Sequence, residues 1–176
     1  MNLPEVNINR AIDTILARYE AVNDADGNKL FLSVGRGLNF LTGAEGIRVF
    51  EGRQPAIRIW EDRAVSPLDT IPNTERQVHH RLSLFVIFKH VVEHEDAQQF
   101  RNRLVDKAKR ILWRPDDVGN VPEGTTPADN TWIFKIPQLM ETDHTAPFKK
   151  FGIDTPLLPP WYCTRIDFDI TVFPRQ

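Results

Sequence analysis

The sequence predicts a single α+β domain in which a mostly antiparallel sheet packs against two amphipathic helices. Two segments carry apolar residues at helical spacing, whereas several others alternate apolar and polar residues as strands do. The expected order is a helix, one or more strands, a long strand, a second helix and two further strands, without internal repeats. A chain of 176 residues suits one domain of ordinary size, so we treat 1–176 as a single unit.

The first helix is predicted by apolar residues spaced three and four positions apart between Ile8 and Val22. Asn7 is the expected N-cap, because its side-chain oxygen can accept hydrogen bonds from the free amides of a first turn. The turn-forming sequence NDADGNK, residues 23–29, then ends the helix. The glycine-rich residues 30–46 predict irregular structure with one short strand.

Two segments, residues 55–61 and 164–173, alternate regularly enough to predict half-buried strands. One face of these strands is expected to carry Ile57, Ile59, Ile166, Phe168, Ile170 and Val172. The opposite face is expected to carry Arg58, Trp60, Arg165, Asp167, Asp169 and Thr171.

The longest predicted strand covers residues 78–92, with the sequence VHHRLSLFVIFKHVV. Its even positions are apolar in the middle and its odd positions are mixed, which predicts one well-buried face and one partly covered face. A continuous strand of this length spans about 50 Å, whereas a domain of this size has a diameter of roughly 40 Å. We therefore expect it to bend, bulge or project as an extended β-hairpin arm, with the loop at residues 62–75 as its tip.

The second helix is expected to begin after Asp96, an N-cap with Gln99 at the capping-box position, and to end near Trp113. Its apolar face consists of Phe100, Leu104, Ala108, Ile111 and Leu112. A long loop at residues 114–130 follows, and loops of this length are usually functional or mobile. Residues 131–140 predict a strand at an edge of the sheet, since Pro137 has no amide hydrogen to donate to a neighbouring strand.

The composition argues against several classes of protein. Its 24 acidic and 22 basic residues give a net charge of -2, so the basic excess of a non-specific nucleic-acid binder is missing. Cys163 is the single cysteine, which excludes an internal disulfide and fits folding inside a cell. We expect no signal peptide in the first residues and no membrane-spanning segment, because no apolar run approaches about 20 residues.

Four of the five histidines, His79, His80, His90 and His94, lie in or beside the long strand, which raises the question of a metal site. A zinc ion needs ligands that converge within about 2.1 Å of one point. His79 and His80 point to opposite faces of a strand, and His80 and His90 lie about 33 Å apart along it. We therefore predict solvated histidines at the rim and no metal site.

Other chemical motifs are equally weak. In the calcium-like stretch from Asp24, glycine stands at position 4 and Gly35 at position 12, which is the wrong register for an EF-hand. Residues 35–43, GRGLNFLTG, lack the lysine ending of a phosphate loop. Nothing around Cys163 suggests an activated thiolate. Asp167 and Asp169 share a strand face, which we interpret as a polar row directed to solvent or to an interface.

These negative results predict a protein that acts through its surfaces, with no catalytic, cofactor-binding or metal-binding residues. The order of the elements then resembles one family, the tail terminator (tail completion, minor tail protein U-like) proteins of long-tailed bacteriophages. The resemblance rests on the segments INRAIDTILARYEAV, PAIRIWE, RQVHHRLSLFVIFKHV, DAQQFRNRLVDKAKRILW and RIDFDITVF, and it covers most of the chain. The chain departs from compact members in its long loops at residues 62–75 and 114–130.

The resemblance implies a structural virion protein, made in the host cytoplasm, that forms a hexameric ring on the tail tube at the head–tail junction. Its implied partners are further copies of itself, the tail tube protein and a head-closure or connector protein. Genome DNA is expected to pass through the lumen without sequence-specific binding. The alternatives are another neck or tail-tube component or, from a different class, a small metal-dependent nuclease that uses Asp167 and Asp169.

Overall fold

The computed structural model describes residues 7–37, 50–65, 78–90, 96–112, 132–135, 139–142 and 160–174. In this part of the chain, two helices pack on one face of a mixed β-sheet, which confirms the α+β class. Most of the predicted loop at residues 62–75 and all of the loop at residues 114–130 lie outside the described residues. The same holds for residues 38–49 and 143–159.

The helices and strands follow the predicted order. They are α1 (Asn7–Glu20), β1 (Ser33–Arg36), β2 (Ala56–Val65), β3 (Val78–Lys89), α2 (Ala97–Leu112), β4 (Trp132–Lys135), β5 (Leu139–Thr142) and β6 (Trp161–Pro174). The main sheet order is β1–β2–β3–β6, and the short strands β4 and β5 both pair with β6. The β1–β2 pairing is parallel, and the other pairings between the described strands are antiparallel.

The beginning of α2 is fixed by the predicted N-cap. The Asp96 carboxylate accepts a hydrogen bond from the amide of Gln98 at 3.0 Å, and the Phe100 amide donates to the Asp96 carbonyl at 3.1 Å. These bonds satisfy amide and carbonyl groups at the helix start. The helix ends at Leu112, one residue before the predicted Trp113.

The main core lies between the two helices and the even face of β3, meaning the face that carries Leu82, Leu84, Val86 and Phe88. The helices contribute Ile8, Ala11, Ile12, Ile15, Leu16, Tyr19, Leu104, Val105, Ala108, Ile111 and Leu112. The flanking strands contribute Ile57, Ile59, Ile166, Phe168 and Ile170. The predicted apolar faces of both helices and of the strands β2, β3 and β6 are therefore confirmed at these positions.

Two buried hydrogen bonds join the two helices directly, and in one of them the Arg18 guanidinium donates to the carbonyl of Leu112 at 3.4 Å. The Tyr19 hydroxyl donates to the carbonyl of Ala108 at 2.7 Å, and the Tyr19 ring meets Phe31 edge-on with centroids 5.5 Å apart. Burial raises the pKa of Tyr19 well above its usual value. The tyrosine therefore combines the packing of an aromatic ring with a hydroxyl that has found a partner, as a buried tyrosine requires.

The odd face of β3 is partly covered, as predicted. Ser83, Phe85 and Ile87 in its middle are completely buried, whereas the Arg81 side chain near one end is 50% exposed. Phe50 lies on this side of the sheet, where the Arg58 guanidinium carbon is 5.2 Å from the Phe50 ring centroid. Alternation shows which residues share a face, but it does not show which distant segment covers that face.

The strand β2 also differs from the prediction, because it continues to Val65 instead of ending at Glu61. Residues 62–65 were expected in a loop, but they pair with the first residues of β3 after a register shift between Glu61 and Arg63. Such a bulge inserts an extra residue and increases the local twist. The extra residue of this bulge lies in β2, whereas β3 ends at Lys89, and residues 66–77 lie outside the described part.

The edge position predicted from Pro137 is confirmed by the strands on either side of it. Among the described strands, β4 and β5 each pair with β6 alone. Pro137 itself lies between them, outside the described residues. In place of the single strand predicted at residues 131–140, the described residues form two short strands, β4 and β5.

We predict that Leu84→Ala lowers the free energy of unfolding by about 3 kcal/mol, because it leaves a cavity beneath the helices. Leu84 is fully buried, whereas the side chain of Leu32 is 51% exposed. Leu32→Ala is the matched control and is expected to cost less than about 1 kcal/mol. Urea unfolding followed by circular dichroism measures both values, and similar losses would contradict the described core.

Candidate interaction surfaces

His80 does not lie at the expected solvated rim. His80 is only 8% exposed, and its Nδ1 lies 2.7 Å from a carboxylate oxygen of Glu61. The prediction was wrong for His80 because Ala64 pairs with it in the sheet, in a stretch that the sequence placed in a loop. The side chains of His79 and His94 lie outside the described residues.

His90 occupies a different environment at the other end of β3. Its ring centroid is 5.4 Å from that of Phe100, its amide donates to Pro160, and its buried Nε2 has no hydrogen-bond partner. In the described ranges, no three histidine, cysteine, aspartate or glutamate side chains are grouped so that they could hold a metal ion. The structure therefore separates His80 and His90 instead of bringing them together.

Asp167 and Asp169 lie on the same face of β6 but in different surroundings. Asp167 is buried, and its carboxylate accepts hydrogen bonds from the Ser83 hydroxyl at 2.7 Å and from Arg165 at 2.9 Å. Asp169 is more exposed and accepts from Arg81 at 3.1 Å. The predicted outward polar row is therefore wrong for Asp167, because its partners come from a neighbouring strand and from the same strand.

Cys163 also faces the interior of the protein. The thiol is buried, and burial raises its pKa well above the usual value, against a smaller lowering effect of Arg165. The thiolate is the reactive form of cysteine, so this environment disfavours nucleophilic chemistry at neutral pH.

The glycine-rich stretch and the calcium-like stretch have structural roles in the described part of the chain. At Gly35, a side chain would collide with the guanidinium of Arg58, which crosses the backbone there. In the earlier turn, the Asp24 carboxylate accepts hydrogen bonds from the amides of Asp26 and Asn28, and Gly27 has a φ of 82°. Residues 38–43, the rest of the phosphate-loop-like stretch, are not described.

The edges of the sheet remain as candidate surfaces for interaction. β1 ends at Arg36, and the amide of Gly37 makes a last hydrogen bond to the carbonyl of Ile59 at 3.0 Å. Beyond Ile59, no described strand pairs with β2 on that side. We call residues 61–65 the free edge of β2, since no described strand pairs with them on that side. Unpaired strand edges are ready templates for pairing with another chain.

The free edge of β2 begins beside an exposed aromatic side chain. Trp60 is 39% exposed, and it is one of two large hydrophobic side chains that are exposed in the described residues. Tryptophan is enriched among the residues that contribute most to binding energy at protein interfaces. The opposite edge is formed by β4 and β5, so the sheet, as far as the structure describes it, has two edges of different structure.

None of the helices in the described residues is both long enough and apolar enough to cross a membrane. No protein-family model matches the chain, and no curated protein matches it either.

We predict that the buried pair of Asp167 and Arg165 is sensitive to removal of one partner. Their side chains are 10% and 12% exposed, so Arg165→Met leaves a poorly solvated carboxylate and should cost about 3 kcal/mol. The control is Arg110→Met, which removes an exposed pair with Asp106 on α2 and should cost less than about 0.5 kcal/mol. Equal losses in urea unfolding would refute the assignment of a buried pair.

We predict that stability decreases at alkaline pH because of Cys163. An unfolded thiol loses its proton near pH ~8.5, while the folded protein keeps it because the pKa is raised. The contribution of the protonated thiol to the free energy of unfolding is therefore complete below pH ~8.5. Above that pH it declines by up to about 1.4 kcal/mol per pH unit. Urea unfolding between pH ~8 and ~9.5 should show this decline in the wild type and a flatter profile in Cys163→Ala. Parallel profiles would contradict the prediction.

Proposed function

We propose that this protein is a structural virion component that caps the tail tube of a long-tailed bacteriophage. In this proposal, six copies form a closed ring that joins the tail to the head connector, and genome DNA passes through it. The observation that carries the proposal is the order of the elements in the sequence, which resembles that of tail terminator proteins. The described α1, β2, β3, α2 and β6 occur at the segments on which the resemblance rests.

The two unlike edges of the sheet support assembly into a ring. Rings require heterologous contacts, in which two different patches of one subunit meet. The free edge of β2 lies on one side of the sheet and the strands β4 and β5 lie on the other. A contact between the first edge of one copy and the second edge of the next would use two different patches, as a ring requires.

The charge of the chain is compatible with passage of DNA. Each phosphate that a protein neutralises adds a salt-dependent attraction, so a strongly basic lumen would hold DNA instead of letting it move. The net charge of -2 provides no general excess of cations for such binding. This supports a passive channel but does not distinguish a terminator from another component of the neck or tail tube.

The described site offers less support for the alternative nuclease. A metal-dependent nuclease would need Asp167 and Asp169 to ligate a cation. Both carboxylates accept hydrogen bonds from arginine side chains, namely Arg165 and Arg81. A metal ion would have to displace these guanidinium groups, so we give preference to the structural role.

Electron cryomicroscopy of assembled tails tests the proposal directly. We expect six copies of the chain in a ring at the junction between tail tube and head connector. Absence from that junction, or a single copy there, would overturn the proposal. A position elsewhere in the neck or along the tube would favour the other structural role, and metal-dependent cleavage of DNA by the purified chain would favour the nuclease.

We predict that Trp60→Glu prevents ring formation while leaving the subunit folded. A buried carboxylate at the subunit contact is costly to desolvate, whereas in the monomer the position is 39% exposed. Gln98→Glu is the control, because it introduces the same carboxylate at an exposed position at the start of α2, away from the free edge of β2. Rings are counted by electron microscopy on tail tubes, and folding is checked by circular dichroism. Normal rings with Trp60→Glu would exclude this edge as the contact.

A further inference from the structure

A groove of about 500 Å³ lies between the turn after α1 and the first half of α2. Its lining residues are Asp24, Asn28, Lys29, Leu30, Leu32, Pro55, Phe100, Arg103, Leu104 and Lys107. We call it the turn–helix groove. Four of the lining residues belong to α2, namely Phe100, Arg103, Leu104 and Lys107. They share one side of the helix, because the last three follow Phe100 by three, four and seven positions.

The floor of the turn–helix groove is apolar and partly open to solvent. Leu104 is only 6% exposed, whereas Leu32 is 51% exposed. Phe100 is partly buried, and its ring contacts Phe88 with centroids 5.4 Å apart. Leu32 thus leaves a large apolar surface in water beside a well-packed base, and covering such a surface is favourable.

The rim of the groove carries more positive than negative charge. It has three cationic residues, Lys29, Arg103 and Lys107, and one anionic residue, Asp24. The Asp24 carboxylate already accepts two backbone hydrogen bonds in its own turn. Neither Lys29 nor Lys107 forms an ion pair with any residue that the structure describes, whereas Arg110 on the same helix is paired with Asp106.

Two backbone amides beside the groove already have partners within the chain. The amide of Leu30 donates to the carbonyl of Val22 at 3.0 Å, and the amide of Leu32 donates to the carbonyl of Pro55 at 2.9 Å. These two amides cannot take part in recognition, so the features of the groove that argue for binding are its side chains. An apolar floor with a charged rim is the arrangement found where one protein segment inserts apolar side chains into another.

We infer that the turn–helix groove binds a peptide segment of a partner protein that presents a large apolar side chain flanked by carboxylates. The apolar side chain covers Leu32, Leu104 and Phe100, and the carboxylates face Lys29 and Lys107. The charges on the rim select an acidic segment over a basic one. This inference rests on the groove alone and does not depend on the proposed role in a phage tail.

The probe is a displayed library of random dodecapeptides, selected on the purified full-length chain at low salt. We expect enrichment of peptides in which Leu, Ile, Phe or Trp stands within a few residues of Asp or Glu. Binding of a synthetic copy of the most enriched peptide is then measured by calorimetry. Its affinity should fall as salt is raised, because exposed charge pairs are screened.

Three variants connect the binding to the groove. Lys107→Glu reverses a charge on the rim and Leu32→Ser removes the exposed apolar surface, and each should weaken binding by about tenfold. Arg110→Glu is the matched control, since it makes the same change in charge one turn away on α2, outside the groove. It should change affinity by less than about twofold. Circular dichroism and urea unfolding confirm that each variant is folded.

Several outcomes would overturn the inference. They are the absence of any enriched sequence class, enrichment of peptides without acidic residues, and an equal effect of Lys107→Glu and Arg110→Glu. Loss of self-association in Leu32→Ser, measured by analytical ultracentrifugation, would show that another copy of the chain occupies the groove. The results of the peptide selection and of the calorimetry are independent of whether rings form on tail tubes.

Discussion

The burial of β3 on both of its faces is the constraint on which the other elements depend. Seven consecutive residues, Leu82–Phe88, are completely inaccessible to solvent. Each large apolar side chain among them stabilises the fold by roughly 1.5–3 kcal/mol relative to exposure. The two helices exclude water from the even face, and the antiparallel neighbours β2 and β6 satisfy the backbone on both sides.

This burial also explains why polar groups in the sheet are paired. Ser83 lies on the odd face of β3 with no exposure, and its hydroxyl donates to Asp167, which in turn accepts from Arg165. At the end of the even face, the Nδ1 of His80 lies 2.7 Å from a carboxylate oxygen of Glu61, so this buried polar group is also paired. A buried polar group without a partner costs about 1–3 kcal/mol. These pairs therefore follow from the depth of the central strand and do not indicate a catalytic site.

The surfaces suited to interaction lie where the core ends. The free edge of β2 starts where β1 stops, and the turn–helix groove lies where α2 meets the turn that follows α1. Trp60 lies beside the first and Leu32 within the second, and these are the two exposed large hydrophobic residues of the described chain. The sites are formed by different elements, so one chain has room for contacts with copies of itself and with a separate peptide partner.

The elements themselves could be predicted from the sequence, because local spacing determines them. Helical periodicity located α1 and α2, the Asp96 N-cap located the start of α2, and alternation located the inner faces of β2, β3 and β6. Pro137 located an edge of the sheet, since a residue without an amide hydrogen cannot join a ladder on both sides. In each case, the physical cause acts within a few residues along the chain.

Only the tertiary structure decided which side chains are buried on the odd face of β3 and where the exposed surfaces lie. Asp167 and His80 looked solvent-exposed in sequence, yet partners from other strands, Ser83 and Glu61, enclose them. Residues 62–65 looked like a loop, but pairing with β3 extends the strand through them. The groove joins residues 24–32 to α2, far apart in sequence. Burial and pairing depend on contacts between distant segments, and local patterns contain no information about those contacts.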